Sequence, residues 1–377
     1  MADAQPASRR TKFSAVAHGR PALRSTMPRQ TARTDYAMDL KSFIHALPKA
    51  ELHLHLEGAV AAPTVIDLAH KHGIALPDFS DDSDIFDFAD LSAFLKVYDI
   101  ICASIRTPDD FRRVTYEALK RCADSNVRYA EFFFSPGAHL PHGVKYSDML
   151  DGVIGGMHDA ERDMKIASRL IPAINRELGP SVAEEFLDMV LADRRDAVIG
   201  IGLDYLETGF PPGPYAGVYE RARAAGLKAT AHAGESGPAD NIRDSIALLG
   251  CARIDHGYHI VDDPALVAAC KETQIGFTCC PSTTHYTTIW RDLESPDHPI
   301  RTMIGAGLNV VLNTDDPGLF RTDLDQEYLI VSEKMGISPA KLAEIPLNGI
   351  RASWLDESTK TRMIAEWQAE ITPLLAA

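Results

Sequence analysis

The chain has 377 residues, of which 45% are apolar and 24% charged, with a formal net charge of −15. That is an ordinary soluble composition; the acidic balance argues against a nucleic-acid or anionic-membrane partner, and no apolar run is long enough to span a bilayer. No signal-peptide pattern opens the chain, and Cys102, Cys122, Cys251, Cys270, Cys279 and Cys280 lack any C-x-x-C spacing, so they read as reduced, buried thiols of a cytoplasmic protein.

Residues 1–37 stand apart, with seven Lys/Arg against two acids, a net of +5. An Arg-rich, acid-poor stretch resembles a targeting peptide, but it has no amphipathic period. We read it as a disordered tail, or as sequence upstream of a start at Met27 or Met38.

From residue 38 to 377 the chain reads as one domain. A short helix over 40–47 leads into a first strand at 51–56, Glu51-Leu-His-Leu-His-Leu. In the two-residue period of a strand His53 and His55 share one face, and the leucines the other. A helix follows from Pro63 and stops at Gly73. Residues 74–90 form an acidic connection, and helical patterns over 91–105 and 108–124 make a helical insertion after the first strand. Phe88, Phe94 and Tyr98 are expected to pack as a lid there.

Beyond Val127 the chain alternates. Apolar, β-rich runs occur at 127–134, 166–174, 197–203, 228–232, 253–256, 275–280 and 308–314. Helical patterns lie between them, at about 147–163, 180–193, 214–225, 241–250, 264–272 and 298–306. Eight strands, nearly all followed by a helix, predict an α/β fold closed as a (β/α)8 TIM barrel. Helices over 323–371, with Trp354 and Trp367, are expected to cover its outside.

Barrel active sites lie at the C-terminal ends of the strands. Strand one delivers His53 and His55, strand five His232-Ala-Gly-Glu235, strand six Asp255-His256-Gly257 and strand eight Asn313-Thr-Asp-Asp-Pro317. His53, His55, His232 and one of Asp315 or Asp316 make an N₃O set suited to one Zn²⁺ with an open position for water. Such an ion lowers the pKa of its water from 15.7 to about 7. Glu235 can then donate a proton to a substrate, and His256 can orient the water or take its proton. The second aspartate is free to hydrogen-bond the substrate.

These motifs (His-Leu-His-Leu-Glu-Gly, His-Ala-Gly-Glu, Arg-Ile-Asp-His-Gly and Asn-Thr-Asp-Asp-Pro) resemble those of the adenosine deaminase family, in the amidohydrolase superfamily of metal-bearing barrels. The resemblance runs from about residue 45 to 335. It implies that His53, His55, His232 and Asp315 bind zinc, that Glu235 protonates N1 of a purine, that His256 assists the attacking hydroxide, and that Asp316 bonds N7. The implied reaction converts a 6-aminopurine and water to a 6-oxopurine and ammonia, as in purine salvage. Strand four ends Gly202-Leu203-Asp204, without the lysine that bridges two metals in many relatives, so a single ion is expected.

Three departures bear on the substrate. Asp255 stands where the adenosine-specific branch has glycine. The segment from Asp204 to Pro212 resembles the adenine branch, and Glu207 there can accept a hydrogen bond from N9–H of a free base. Ser282-Thr-Thr-His285 replaces the usual Ser-Asn after strand seven. The expected substrate contacts are thus Asp316, His55, Asp255 and Glu207. We expect adenosine as substrate, with free adenine or a modified aminopurine as alternatives. A related amide hydrolase and a metal-free binding barrel are the rival classes. The partner is a small-molecule purine, and the oligomeric state is open.

Overall fold

The computed structural model describes residues 38–76, 86 and 91–376, with the side chains of 91–96 excepted. The basic stretch 1–37, most of the acidic connection, and the expected lid contacts of Phe88 and Phe94 lie outside the described residues.

Eight parallel strands pair in chain order: β1 (Lys49–Glu51), β2 (Val127–Phe134), β3 (Ala167–Asn175), β4 (Gly200–Asp204), β5 (Lys228–Ala233), β6 (Arg253–His256), β7 (Gly276–Cys279) and β8 (Asn309–Leu312). The fold is the expected (β/α)8 barrel. The strands are buried on both faces, and for that reason they read as near-continuous apolar runs. The helix Pro108–Asp124 starts on a capping box between Thr107 and Asp110, and the helix Ala62–His72 stops where Gly73 turns left-handed, at φ 66°.

Regular pairing of the first strand ends at Glu51, five residues short of the expected limit. Beyond it the chain threads between β8 and β2 through single bridges, Leu54 with Asp315 and His55 with Phe133. The backbone exchange there is reciprocal: His55 N–H donates to Asp315 O (2.8 Å) and Asp315 N–H to His53 O (2.9 Å). These bonds close the barrel at the point where three expected metal ligands meet.

Two short helices missed in the sequence, Pro136–His139 and Pro281–Thr287, follow β2 and β7. Trp354 also differs from expectation. Instead of covering the outside, it enters the barrel interior from the strands' N-terminal end, beside Phe133, Ile171 and Ala173. Its ring lies 4.4 Å from the Arg253 guanidinium, whose buried ion pair with Glu131 spans 2.6 Å. The interior is thus plugged from below and left open above, where the site lies. Among the described residues no helix is long and apolar enough to cross a membrane.

Candidate active site

His53 and His55 follow β1, His232 lies on β5, and Asp315 follows β8; the four bring one ligand atom each within 4.8 Å of one another. His53 Nε2 is 3.1 Å and His55 Nε2 3.3 Å from Asp315 Oδ1, and the His55 and His232 Nε2 atoms are 3.2 Å apart. Donors about 2.0–2.1 Å from a shared ion at a tetrahedral angle stand roughly 3.3 Å apart, so the set has the dimensions of a metal site. His53 Nε2 is buried and makes no hydrogen bond among the described residues. The surroundings of His55 call for positive charge. Burial works against its protonation, yet Asp315, Asp316 and Asp204 raise its pKa to about 10. Burial would also raise Asp315, but the neighbouring His53 holds this carboxyl well below the usual range. The residues fit a divalent cation.

Behind the ligands lies a second layer that the sequence did not reveal. Thr278 donates its hydroxyl proton to Asp255 Oδ1 (2.9 Å), and so accepts from His53 Nδ1 (2.9 Å). That fixes the His53 tautomer, leaving a lone pair on Nε2 for a metal. Thr230 donates to the other Asp255 oxygen (2.7 Å), which lies 3.8 Å from His232 Nδ1. Thr283 donates to Asp315 Oδ2 (2.7 Å), the oxygen turned away from the imidazoles. Asp204 Oδ2 is 3.9 Å from His55 Nδ1.

This arrangement corrects the expectation for Asp255. Its side chain is fully buried beneath the histidines, engaged by two threonines, and is absent from the cavity wall. It lies beside His53 and His232 and does not line the cavity. The departure at 282–285 also acquires a meaning. Ser282 bonds the buried Glu327, Thr283 holds Asp315, Thr284 meets His298, and His285 turns out to Arg291 O.

Glu235 and His256 face each other across the cavity, with Glu235 Oε2 3.7 Å from His256 Nε2. Burial, with the charges of Asp315 and Glu207 added, pushes the Glu235 carboxyl up to about 8. Desolvation lowers the pKa of His256, which favours the neutral ring. Tyr258 donates to Cys280 O (3.2 Å) and therefore accepts from His256 Nδ1 (3.2 Å), so His256 Nε2 presents a lone pair to the cavity. One site thus sets a carboxyl that burial raises 3.7 Å from an imidazole whose charged form burial disfavours.

Asp316 completes the wall. Its Oδ1 has no partner among the described residues, and burial together with Asp315 pushes its carboxyl well up. A side chain at Gly58 would put its Cβ 1.7 Å from that oxygen, which explains why the first motif ends in glycine. Backbone strain collects here as well: Tyr205, His256 and Asp315 all hold φ between 62° and 66°, a costly region for non-glycine residues and one typical of functional sites.

Glu207 also departs from expectation. It borders the cavity but is 1% exposed, and five internal N–H donors already occupy its two oxygens. No lone pair is left over for a substrate N9–H.

Some missed partners had a readable signal. Thr230 lies two residues before His232, so strand period alone puts both on the barrel's inner face. Thr278, Thr283 and Tyr258 had none, because their roles depend on register with other strands.

A parallel barrel with three imidazoles and a carboxylate at its C-terminal mouth has the layout of a metal-bearing barrel hydrolase, and the comparisons with known proteins point to the same class. The adenosine deaminase family profile matches residues 48–369, and the chain belongs to that family. An adenine deaminase from Vibrio parahaemolyticus is 36% identical over 326 residues, covering 86% of this chain and 96% of the relative. An amidohydrolase from Burkholderia ambifaria, solved with bound Zn, is 39% identical with a TM-score of 0.84, covering 91% of this chain and 96% of the other. The adenine deaminase of Arthrobacter aurescens is 34% identical with a TM-score of 0.81, covering 88% of this chain and all of the other.

Proposed function

We propose that this chain hydrolytically deaminates a 6-aminopurine, with free adenine as the preferred substrate, giving hypoxanthine and ammonia. The sequence reading put adenosine ahead of adenine; relatives named adenine deaminase, at 34–36% identity over nearly their whole length, favour the reverse order. The observation that carries the reading is the convergence of the N₃O set, Glu235 and His256 on one cavity, where burial raises the Glu235 carboxyl and disfavours the charged form of His256.

His53, His55, His232 and Asp315 hold one zinc ion in this reading, and Thr278, Asp255 and Thr283 orient them. When bound, such an ion supplies Lewis acidity and a nucleophile drawn from water at neutral pH. Glu235 gives its proton to N1, so C6 can accept attack without the ring developing a full negative charge. His256 takes the proton of the attacking water at Nε2. Asp316, held protonated, donates to N7 and fixes the ring. His256 then returns that proton to the amino group, ammonia leaves C6, and the remaining hydroxyl proton passes back to Glu235 as the 6-oxo group forms. The test is ammonia release over adenine, adenosine, AMP and N6-methyladenine; adenine should have the highest kcat/KM, and a higher value for adenosine would reject the substrate assignment.

A further inference from the structure

The turn that carries Glu235 is built around another residue's carboxylate. Glu207, in the connection after β4, accepts from Gly234 N–H at 2.6 Å through Oε1. Its Oε2 accepts from the N–H groups of Glu235, Ser236 and Gly237, each at 2.9 Å. Asn241 Nδ2 adds a fifth contact at 2.9 Å to Oε1. Four consecutive amides thus converge on one side chain, the arrangement of an anion-binding nest.

The local sequence is shaped to this. A Cβ at Gly237 would lie 2.6 Å from Glu207 Oε1 and 2.4 Å from Asn241 Nδ2, so only glycine can close around the carboxylate. Gly234 sits at φ 71°, in the left-handed region that lets the chain turn straight after β5. The helix Ala239–Ala247 that follows has no side-chain cap of its own at Pro238, and Glu207 serves the turn leading into it.

From this geometry we infer that Glu207 is a positioning residue for Glu235: it binds no substrate, and it acts by clamping the backbone from which the acid projects. The inference rests on the proposed deaminase reading for its catalytic readout and on the turn itself for its structural one. Glu207 is also among the neighbours that raise the Glu235 carboxyl, a second route by which the clamp reaches the chemistry.

The test compares Glu207→Gln and Glu207→Asp with the wild-type holoenzyme. A glutamine offers one acceptor oxygen and turns an N–H₂ group toward amides, so the nest opens. Misplacing an acid by about 1 Å costs on the order of 100-fold, so kcat for adenine should fall roughly 100-fold while KM and zinc content hold. Loss of the charge should also move the alkaline limb of the pH–rate profile to lower pH. Glu207→Asp, which keeps the charge, should leave that limb in place. In a Glu235→Gln background, adding Glu207→Gln should cost almost nothing, because the residue it serves is already gone. A full additional loss in that background, or a loss confined to KM, would overturn the inference and return Glu207 to substrate contact. A wild-type chain that turns over no purine counts against the proposed function alone. The clamp is then read from amide hydrogen exchange, where Glu207→Gln should speed exchange at 234–237 and unchanged protection there would reject it.

Discussion

The Nε2 atoms of His55 and His232 stand 3.2 Å apart, with the Asp315 carboxylate 3.3 Å from the first of them. Two ring nitrogens from residues 177 apart in sequence are held at the edge length of a metal coordination shell. A chelator should therefore abolish activity and lower the Tm, because a ligand that binds only the folded state contributes to its stability. Zinc added back should restore both. Full activity after exhaustive chelation would exclude the metal assignment.

Glu235→Gln retains the shape of the acid and removes its proton. Turnover should fall about 10²- to 10⁴-fold with metal content unchanged, measured by ammonia release and elemental analysis. Wild-type turnover in this variant would take Glu235 out of the mechanism.

The pH dependence follows from the same residue. Glu235 is competent while protonated, and its carboxyl is raised to about 8. The rate should therefore hold below that value and decline as pH rises through about 8. In Glu235→Gln this limb should vanish from the residual activity.

Asp255 lies under the ligands, engaged by Thr230 and Thr278. Asp255→Asn should weaken metal binding by about 10- to 100-fold, as loss of such a supporting group typically does. The ratio of adenine to adenosine turnover should not change once metal is saturating. A changed ratio would restore Asp255 to the substrate site.

Trp354 fills the lower barrel against Arg253 and Phe133. Trp354→Ala should cost roughly 3 kcal/mol of stability by denaturant unfolding, from the cavity it leaves. Because the plug is at the strands' far end, kcat should stay close to wild type. A large kcat loss without destabilisation would mean the plug communicates with the site.

Much of this molecule is legible in one dimension. Alternating strand and helix periods are local properties, so β2 and β6 fall on the residues expected, and the helix Pro108–Asp124 does so at both ends. His53, His55, His232, Glu235, His256, Asp315 and Asp316 come together at one mouth because each stands at or just past a strand's C-terminal end, and a parallel barrel gathers such ends on one face. Depth within the barrel is different. Whether a strand-end carboxylate lines the cavity or lies beneath it depends on register against both neighbouring strands, here His232 opposite Asp255 and Asp255 opposite Thr278. No period within β6 encodes that register, so Asp255 read as a substrate contact, whereas its carboxylate lies buried between Thr230 and Thr278. The surroundings of Glu207 were illegible for a related reason: its five donors come from a turn and a helix some 30 residues further on, and only the folded backbone brings them to one point.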